Sequence, residues 1–220
     1  MEVIIVPAYN ESQKIGRVIR GLFEHGWREV VVVDDGSSDD TAVAAKSAGA
    51  IVLRHMVNRG QGASLETGDE YARCVGAQLV VHFDGDDQFN GADIAPALTA
   101  LKNGGADVLL GSRFLDGRSR LPWVKKNLVL PVSRLINYLF TGVKLTDAHN
   151  GFRIFNQRAL NSIRITQDGM AHNTEIVRQI KKLGLKMIEF PVEVRYYEYG
   201  QGVGGGVRIL MDLVKEMMVR

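Results

Sequence analysis

Short runs of apolar, mostly β-branched residues alternate along the first half of the chain with segments whose apolar positions recur every three or four residues. The short runs are typical of strands buried on both faces, and the periodic segments are typical of amphipathic helices. Alternation of this kind predicts an α/β fold with a mostly parallel central sheet and flanking helices. The predicted strands are residues 3–6, 30–33, 50–53, 79–83 and 106–110, and the predicted helices lie at 15–23, after Thr41, at 63–75 and at 93–101.

The pattern changes after Arg113. Residues 123–140 mix apolar and basic side chains on a helical period, and residues 200–206 include five glycines, which predicts a hinge. The remaining pattern predicts a strand at 152–155, a helix at 173–183, a strand at 187–194 and an amphipathic helix at the end of the chain. We find no internal repeat and no linker, so we expect a single domain in three parts, 1–113, 114–200 and 201–220.

Composition narrows the class of protein. A chain of 220 residues with 45% hydrophobic and 24% charged residues can bury one sizeable core, which excludes a disordered or fibrous protein. A net charge of +2 gives no global field for nucleic acid. The single cysteine excludes an internal disulfide, and no apolar run approaches the roughly 20 residues of a membrane span. We expect a cytoplasmic protein, with peripheral contact to the cytoplasmic face of a membrane left open.

The most informative polar cluster is Asp84-Gly85-Asp86, which follows the fourth predicted strand. Two carboxylates two residues apart can turn toward one divalent ion if Gly85 lets the backbone bend. Oxygen ligands without a cysteine or histidine cluster favour Mg²⁺ or Mn²⁺, which completes its coordination with substrate phosphates. An ordinary turn is the alternative interpretation, because Asp and Gly are common in turns.

Two further polar clusters follow the first and second predicted strands. Asp35 lies in the second cluster, where a carboxylate can accept hydrogen bonds from a ribose hydroxyl or a base N–H. The first cluster combines a rigid Pro7, the aromatic ring of Tyr9 and the carboxylate of Glu11. Asn10 or Ser12 is also placed to cap the helix that follows. Because ligands of parallel sheets bind where strands meet such loops, the three clusters together predict one binding crevice.

Six motifs in order resemble those of the family 2 glycosyltransferases, which have the GT-A fold. Four motifs carry the likeness to the family, and two resemble more narrowly the dolichyl- or polyprenyl-phosphate sugar synthases. The first four are residues 3–11, 31–41, 58–63 and 83–88, and the last two are Gly-Ser-Arg-Phe at 111–114 and Thr-Asp-Ala-His-Asn-Gly-Phe-Arg at 146–153. The resemblance covers nearly the whole chain and implies a transferase of the EC 2.4 class.

The resemblance also implies roles for individual residues. Asp84 and Asp86 would bind the Mg²⁺ or Mn²⁺ that bridges the diphosphate of a UDP- or GDP-sugar, with Gln88 beside them. Arg113 would contact phosphate or the acceptor, and Arg195 would close over the diphosphate. Three residues, Pro7, Tyr9 and Glu11, would line the base, and Asp35 would hold the base or the ribose. Gln61 departs from the family, in which lysine is often found at this position.

Two acceptors are compatible with this reaction. A polyprenyl phosphate is already mostly dianionic at pH 7 and needs cations rather than a strong base, for which Arg113, Lys125 and Lys126 are candidates. A hydroxyl acceptor needs a general base, for which Asp147 is the candidate, although a structural role beside Asn150 is the simpler interpretation. The basic, apolar residues 123–140 and the last helix suit either a membrane surface or packing on the sheet.

Other classes of protein fit the sequence less well. A dinucleotide oxidoreductase would use Gly60 and Gly62, but its third glycine is replaced by Leu65 and the segment follows the third strand instead of the first. A nucleotidyltransferase would need a glycine- and arginine-rich loop where residues 9–11 stand. A non-catalytic module that binds nucleotide sugars remains an alternative, and it predicts metal-dependent binding without transfer.

Overall fold

A computed structural model describes residues 1–116, 118, 138–139, 141–147 and 150–195. They form a mixed α/β domain around one seven-stranded sheet, as the alternating pattern predicted. The predicted helices at 123–140 and after residue 206 lie outside the described residues, apart from positions 138 and 139. The strands are β1 Glu2–Ala8, β2 Glu29–Asp34, β3 Ile51–Arg54, β4 Leu79–His82, β5 Val108–Ser112, β6 Arg153–Asn156 and β7 Met187–Pro191.

The sheet order is β3-β2-β1-β4-β6-β5-β7. Six of the strands run in the same direction, and β6 alone is antiparallel to both of its neighbours. The start of β6 therefore lies beside the end of β4, where Arg153 pairs with His82. The sequence pattern predicted the position of β6, but it contained no signal for the reversed direction.

Helices cover both faces of the sheet. They are α1 Ile15–Glu24, α2 Thr41–Ser47, α3 Gln61–Cys74, α4 Ile94–Asn103, α5 Gln157–Ser162 and α6 His172–Lys182. Successive residues of β1 face opposite sides, so Ile4 belongs to the core beneath α1 and α4 while Ile5 belongs to the core beneath α3 and α6. The short helix α5 was not predicted. None of the helices among these described segments is long and apolar enough to span a bilayer.

Close packing fixes α3 over the centre of the sheet. A Cβ atom at Gly68 would overlap the side chain of Ile5, so only glycine permits this approach of helix to strand. The first residues of α3 consequently lie near the end of β1. Polar side chains at the start of α3 can therefore reach the same crevice as the loops that follow β1, β2 and β4.

Candidate active site

A cleft of ≈ 410 Å³ opens at the carboxyl ends of β1, β2 and β4. This is the edge of the sheet at which the three polar clusters were predicted to meet. Six of the predicted site residues line it: Pro7, Tyr9, Glu11, Asp35, Asp84 and Asp86. The cleft also contains residues that the sequence analysis did not place among the site residues: Ala8, Asn58, Gly60, Gln61, Ser64 and Gly85.

Hydrogen bonds hold together the loops after β1 and β2, which carry four of the residues that line the cleft: Tyr9, Glu11, Asp35 and, at the end of β1, Ala8. Asn10 has a positive φ of 56°, and its backbone N–H donates to Ser37 Oγ at 2.9 Å while its Oδ1 accepts from Ser38 N at 3.0 Å. Glu11 N donates to Thr41 Oγ1 at 2.8 Å. The prediction that Asn10 or Ser12 caps α1 is wrong, because Lys14 is the N-cap residue and makes no side-chain cap. Asn10 and Ser12 instead connect the loop after β1 to the loop after β2.

Asp84 and Asp86 both line the cleft immediately after β4. Asp86 Oδ1 accepts a hydrogen bond from Gln88 N at 3.1 Å, which orients the carboxylate. Burial raises the pKa of Asp86, although the hydrogen bond from Gln88 opposes the effect. Burial also raises the pKa of Asp84 to about 6, and the charge of Asp86 adds to this shift. A carboxylate whose ionisation is disfavoured by a neighbouring carboxylate is suited to share a cation with it.

The surroundings of Asp84 fit a site for a divalent cation. Gln61 Nε2 donates to Asp84 Oδ1 at 3.0 Å, and a Cβ atom at Gly151 would overlap both Asp84 carboxylate oxygens. Among the residues that the structure describes, no three His, Cys, Asp or Glu side chains converge as a metal site. Two carboxylates without a third protein ligand match Mg²⁺, which typically takes one or two carboxylates together with substrate phosphates.

The raised pKa of Asp84 predicts a pH-dependent cost to stability in the metal-free protein. Its pKa is raised from the ordinary 3.8, so its contribution to stability is present below about pH 4 and is lost as the pH rises through about 6. The change from 3.8 to about 6 corresponds to about 3 kcal/mol, and water at the half-buried carboxylate reduces the expected effect to about 1–2 kcal/mol.

We therefore expect Asp84→Asn to raise the free energy of unfolding of the metal-free protein by about 1–2 kcal/mol at pH 7.5 and to leave it unchanged at pH 4. Urea denaturation in the presence of a chelator at both pH values measures the difference. A gain of the same size at both pH values would contradict the assigned cause.

Arg113 and Asp147 form an ion pair with two parallel hydrogen bonds. Arg113 Nε lies 2.6 Å from Asp147 Oδ2, and Arg113 Nη2 lies 2.7 Å from Asp147 Oδ1. Burial opposes ionisation of Asp147, but the hydrogen bonds and charge of Arg113 outweigh it and lower the pKa of Asp147. Proton abstraction from a hydroxyl is a poor use of a carboxylate held in this way, so the geometry favours the structural interpretation of Asp147.

Gln88 and Arg195 lie together beside the turn that carries Asp84 and Asp86, which we call the aspartate turn. Arg195 N donates to Gln88 O at 2.9 Å, and an isolated bridge pairs Phe89 with Val194. The Arg195 guanidinium is 3.7 Å from Glu193 and half exposed. Neither Gln88 nor Arg195 lines the cleft, but both are attached through the backbone to the segment that carries Asp86.

Arg153 is a buried cation that the sequence analysis quoted in a motif without assigning it a role. Its side chain donates to Asn173 Oδ1, and its Nη1 has no hydrogen-bond partner among the residues that the structure describes. Burial lowers the pKa of Arg153 to about 10, and the charge of Asp84 is the largest effect opposing the shift. Because β6 runs antiparallel to β4, this cation lies beneath the aspartate turn. The direction of β6 could not be predicted from residue types alone.

Comparison with known proteins identifies the family of the chain. Residues 3–164 match the sequence profile of the family described as Glycosyl transferase family 2. The chain is 30% identical to the UDP-N-acetylglucosamine–dolichyl-phosphate N-acetylglucosaminyltransferase of Methanococcus voltae over 94% of this chain and 90% of that protein. It is 25% identical to the polyprenol monophosphomannose synthase of Mycolicibacterium smegmatis over 99% of this chain and 87% of that protein.

A solved structure shares the fold. The glucosyl-3-phosphoglycerate synthase of Mycobacterium tuberculosis, crystallised in complex with Mn²⁺ and UDP-glucose, superposes with a TM-score of 0.71 at 19% identity. The similarity covers 98% of this chain and 78% of that protein. The neighbouring fold is that of the GT-A glycosyltransferases, as the resemblance in the sequence implied.

Proposed function

Because the chain belongs to glycosyl transferase family 2, and is a glycosyltransferase on that evidence, we propose that it moves one sugar from a UDP- or GDP-sugar to a polyprenyl phosphate, with inversion and with a divalent metal ion. The observation that carries the proposal is that one cleft contains two pairs of residues suited to different parts of a nucleotide sugar. Asp84 and Asp86 lie on the loop after β4, and Tyr9 and Asp35 lie on the loops after β1 and β2. The first pair suits a diphosphate with its cation, and the second pair suits a nucleoside.

Each part of the cleft has a separate task in the reaction. Tyr9, which is about half exposed, offers a ring face to the base, and Asp35 accepts a hydrogen bond from the nucleoside. Asp84 and Asp86 would hold Mg²⁺ or Mn²⁺, and Gln61 and Gly151 keep the Asp84 carboxylate in place. When bound, the ion supplies positive charge for the diphosphate that leaves from an oxocarbenium-like anomeric carbon.

The ion pair of Arg113 and Asp147 favours a phosphate acceptor over a hydroxyl. A phosphate monoester is mostly dianionic at pH 7, so it attacks the anomeric carbon without a base and needs only positioning. The positive charge of Arg113 acts on Asp84, where it partly offsets the rise in pKa that burial causes. Lys125 and Lys126, the other candidates for binding the acceptor phosphate, lie outside the described residues. Proteins similar to this chain have names that specify dolichyl phosphate or polyprenol monophosphate chemistry.

A lipid acceptor would bring the protein to a membrane surface. We propose peripheral contact at the cytoplasmic face, through the basic and apolar residues 123–140 and the last helix, as the sequence pattern suggested. These segments belong mostly to the undescribed part of the chain, so the proposal rests on their composition and on the lipid nature of the acceptor.

A transfer assay with paired acceptors tests the proposal. Purified protein is incubated with UDP- and GDP-sugars, with Mn²⁺ or with EDTA, and with either a polyprenyl phosphate or the polyprenol of the same chain length. We expect a glycolipid only with the phosphate and the metal, with the opposite anomeric configuration to the donor by NMR. Transfer to polyprenol or to a sugar hydroxyl would contradict the proposal that the acceptor is a phosphate. Metal-dependent binding of every donor without hydrolysis or transfer would instead indicate a binding module.

A further inference from the structure

Asp35, at the nucleoside end of the cleft, is held by three hydrogen-bond donors of the protein itself. Its Oδ1 accepts from Arg59 N at 2.9 Å and from His55 Nδ1 at 2.7 Å, and its Oδ2 accepts from Gly60 N at 2.7 Å. The residue lines the cleft although it is only 3% exposed. Its carboxylate therefore has one fixed orientation before any ligand binds.

Both ring nitrogens of His55 form hydrogen bonds within the protein. His55 Nε2 lies 2.9 Å from Thr67 Oγ1, on α3, and the imidazole is nearly buried. Asp35 can only accept, so Nδ1 carries a proton and donates to Oδ1, while Nε2 forms a hydrogen bond with the Thr67 hydroxyl. A link from α3 through the imidazole thus holds Asp35 Oδ1.

The number of acceptor positions left to a ligand follows from these contacts. A carboxylate has about four lone-pair positions, two on each oxygen. His55 and Arg59 occupy both positions of Oδ1, and Gly60 occupies one position of Oδ2. One acceptor position on Oδ2 remains for the ligand.

We infer that His55 is a positioning residue for donor specificity, which limits Asp35 to a single acceptor and so makes this cleft selective for a uracil nucleoside diphosphate. Uracil has one donor hydrogen on its Watson–Crick edge, at N3, and one acceptor satisfies it. Cytosine and adenine present amino groups with two hydrogens, and guanine presents N1–H beside an amino group. A base with surplus donors loses affinity, because a desolvated donor without a partner is costly.

Guanine is the informative competitor because its N1–H and amino group form a parallel pair of donors. Such a pair binds a carboxylate through both oxygens at once, in the way that a guanidinium does. Here Oδ1 is already saturated by His55 and Arg59, so the second bond of the pair has no acceptor. Asn58, which also lines the cleft, carries an amide that can donate to a uracil carbonyl oxygen.

The inference rests on the proposed function, in which the cleft holds the nucleotide diphosphate of the donor. Calorimetric titration of the intact protein with UDP, GDP, CDP and N3-methyl-UDP in Mn²⁺ distinguishes failure of the inference from failure of the proposed function. We expect UDP to bind at least about tenfold more tightly than the other three. Equal binding of GDP, or of N3-methyl-UDP, overturns the inference and leaves the proposed function standing. A lack of Mn²⁺-dependent binding by all four overturns both.

A further nucleotide distinguishes contact with the base from contact with the ribose. If Asp35 binds N3–H, removal of the 2′-hydroxyl in 2′-deoxy-UDP changes affinity by less than about threefold, whereas N3-methylation weakens binding at least about tenfold. The reverse order would show that Asp35 holds the ribose and would overturn the inference.

Two substitutions at His55 provide a matched pair. Asn places its amide nitrogen close to the position of the imidazole Nδ1 and keeps a donor, whereas Leu removes the donor at similar volume. We expect His55→Asn to retain the ratio of UDP to GDP affinity and His55→Leu to reduce it about fivefold or more. A merely structural role would weaken both nucleotides equally and leave the ratio unchanged, which would overturn the role of His55. The N3-methyl-UDP result on the unaltered protein stands even if His55→Leu fails to fold.

Discussion

Asp86→Ala is expected to abolish metal-dependent binding of the donor nucleotide and to lower turnover about a thousandfold while the protein stays folded. Asp86 shares the cleft with Asp84, so its loss removes one of the two carboxylates proposed to hold the ion. A bound cation stabilises the charge of a leaving group by several kcal/mol, and about 4 kcal/mol corresponds to a thousandfold in rate. Titration of Mn²⁺ with and without UDP, together with initial rates of transfer, measures both effects.

Asp87→Asn is the matched control for this substitution. Asp87 is the next residue along the same turn, and its partly buried carboxylate forms an ion pair at 3.3 Å with the exposed side chain of Arg17. Its φ is 66°, a conformation that Asn adopts more readily than most residues, and an ion pair at the protein surface contributes little to stability. We expect nearly unchanged metal binding and turnover. Turnover retained by Asp86→Ala would contradict the ligand role of Asp86. Equal loss of turnover in Asp87→Asn would show that the acidity of the turn as a whole matters, and not the ligand position of Asp86.

The sequence alone predicted the part of the fold that depends on local pattern. Continuously apolar strands must be covered on both faces, so runs such as 30–33 identify a sheet between helices whatever the remaining chain does. The polar residues that follow those strands had to meet at one edge, because parallel strands end on the same side. Asp35, Asp84 and Asp86 could therefore be placed in one cleft before any coordinates were known.

Contacts between distant segments could not be predicted in this way. Asn10 resembled a helix cap by its type and position, but it connects two loops through Ser37 and Ser38 instead. His55 is 20 residues from Asp35 in the chain, and no periodicity relates them. The direction of β6 depends on the path of the chain between β5 and β6, which residue type does not reveal. Such long-range contacts determine which oxygen of each carboxylate remains for a ligand.

The reversed strand β6 has a direct consequence for the candidate metal site. Since β6 starts where β4 ends, Gly151 lies against the Asp84 carboxylate, and the buried Arg153 follows two residues later. A parallel strand at this position would have presented its opposite end to the aspartate turn. The motif Asn-Gly-Phe-Arg thus shapes the candidate metal site through its placement, even though none of its residues lines the cleft.

Gly151→Ala is expected to weaken Mn²⁺-dependent binding of the donor nucleotide at least about a hundredfold with little change in stability. The added Cβ would overlap both Asp84 carboxylate oxygens, so the side chain must rotate away and lose its hydrogen bond from Gln61. Rotation of a short side chain costs the fold little, whereas a ligand displaced by about 1 Å costs function about a hundredfold.

Gly21→Ala separates this local effect from the general consequence of replacing glycine. Gly21 lies within α1, and a Cβ atom there would meet nothing within 4 Å, so we expect about 0.5–1 kcal/mol of added stability and unchanged metal binding. Thermal unfolding of both variants in EDTA, followed by Mn²⁺ and UDP titration, compares them. If Gly151→Ala binds metal and nucleotide like the unaltered protein, then Asp84 tolerates a different rotamer and the geometry argued for the cation site is wrong. If it instead loses stability as well, the crowding has spread to the backbone of β6, and the effect on binding is no longer specific to Asp84.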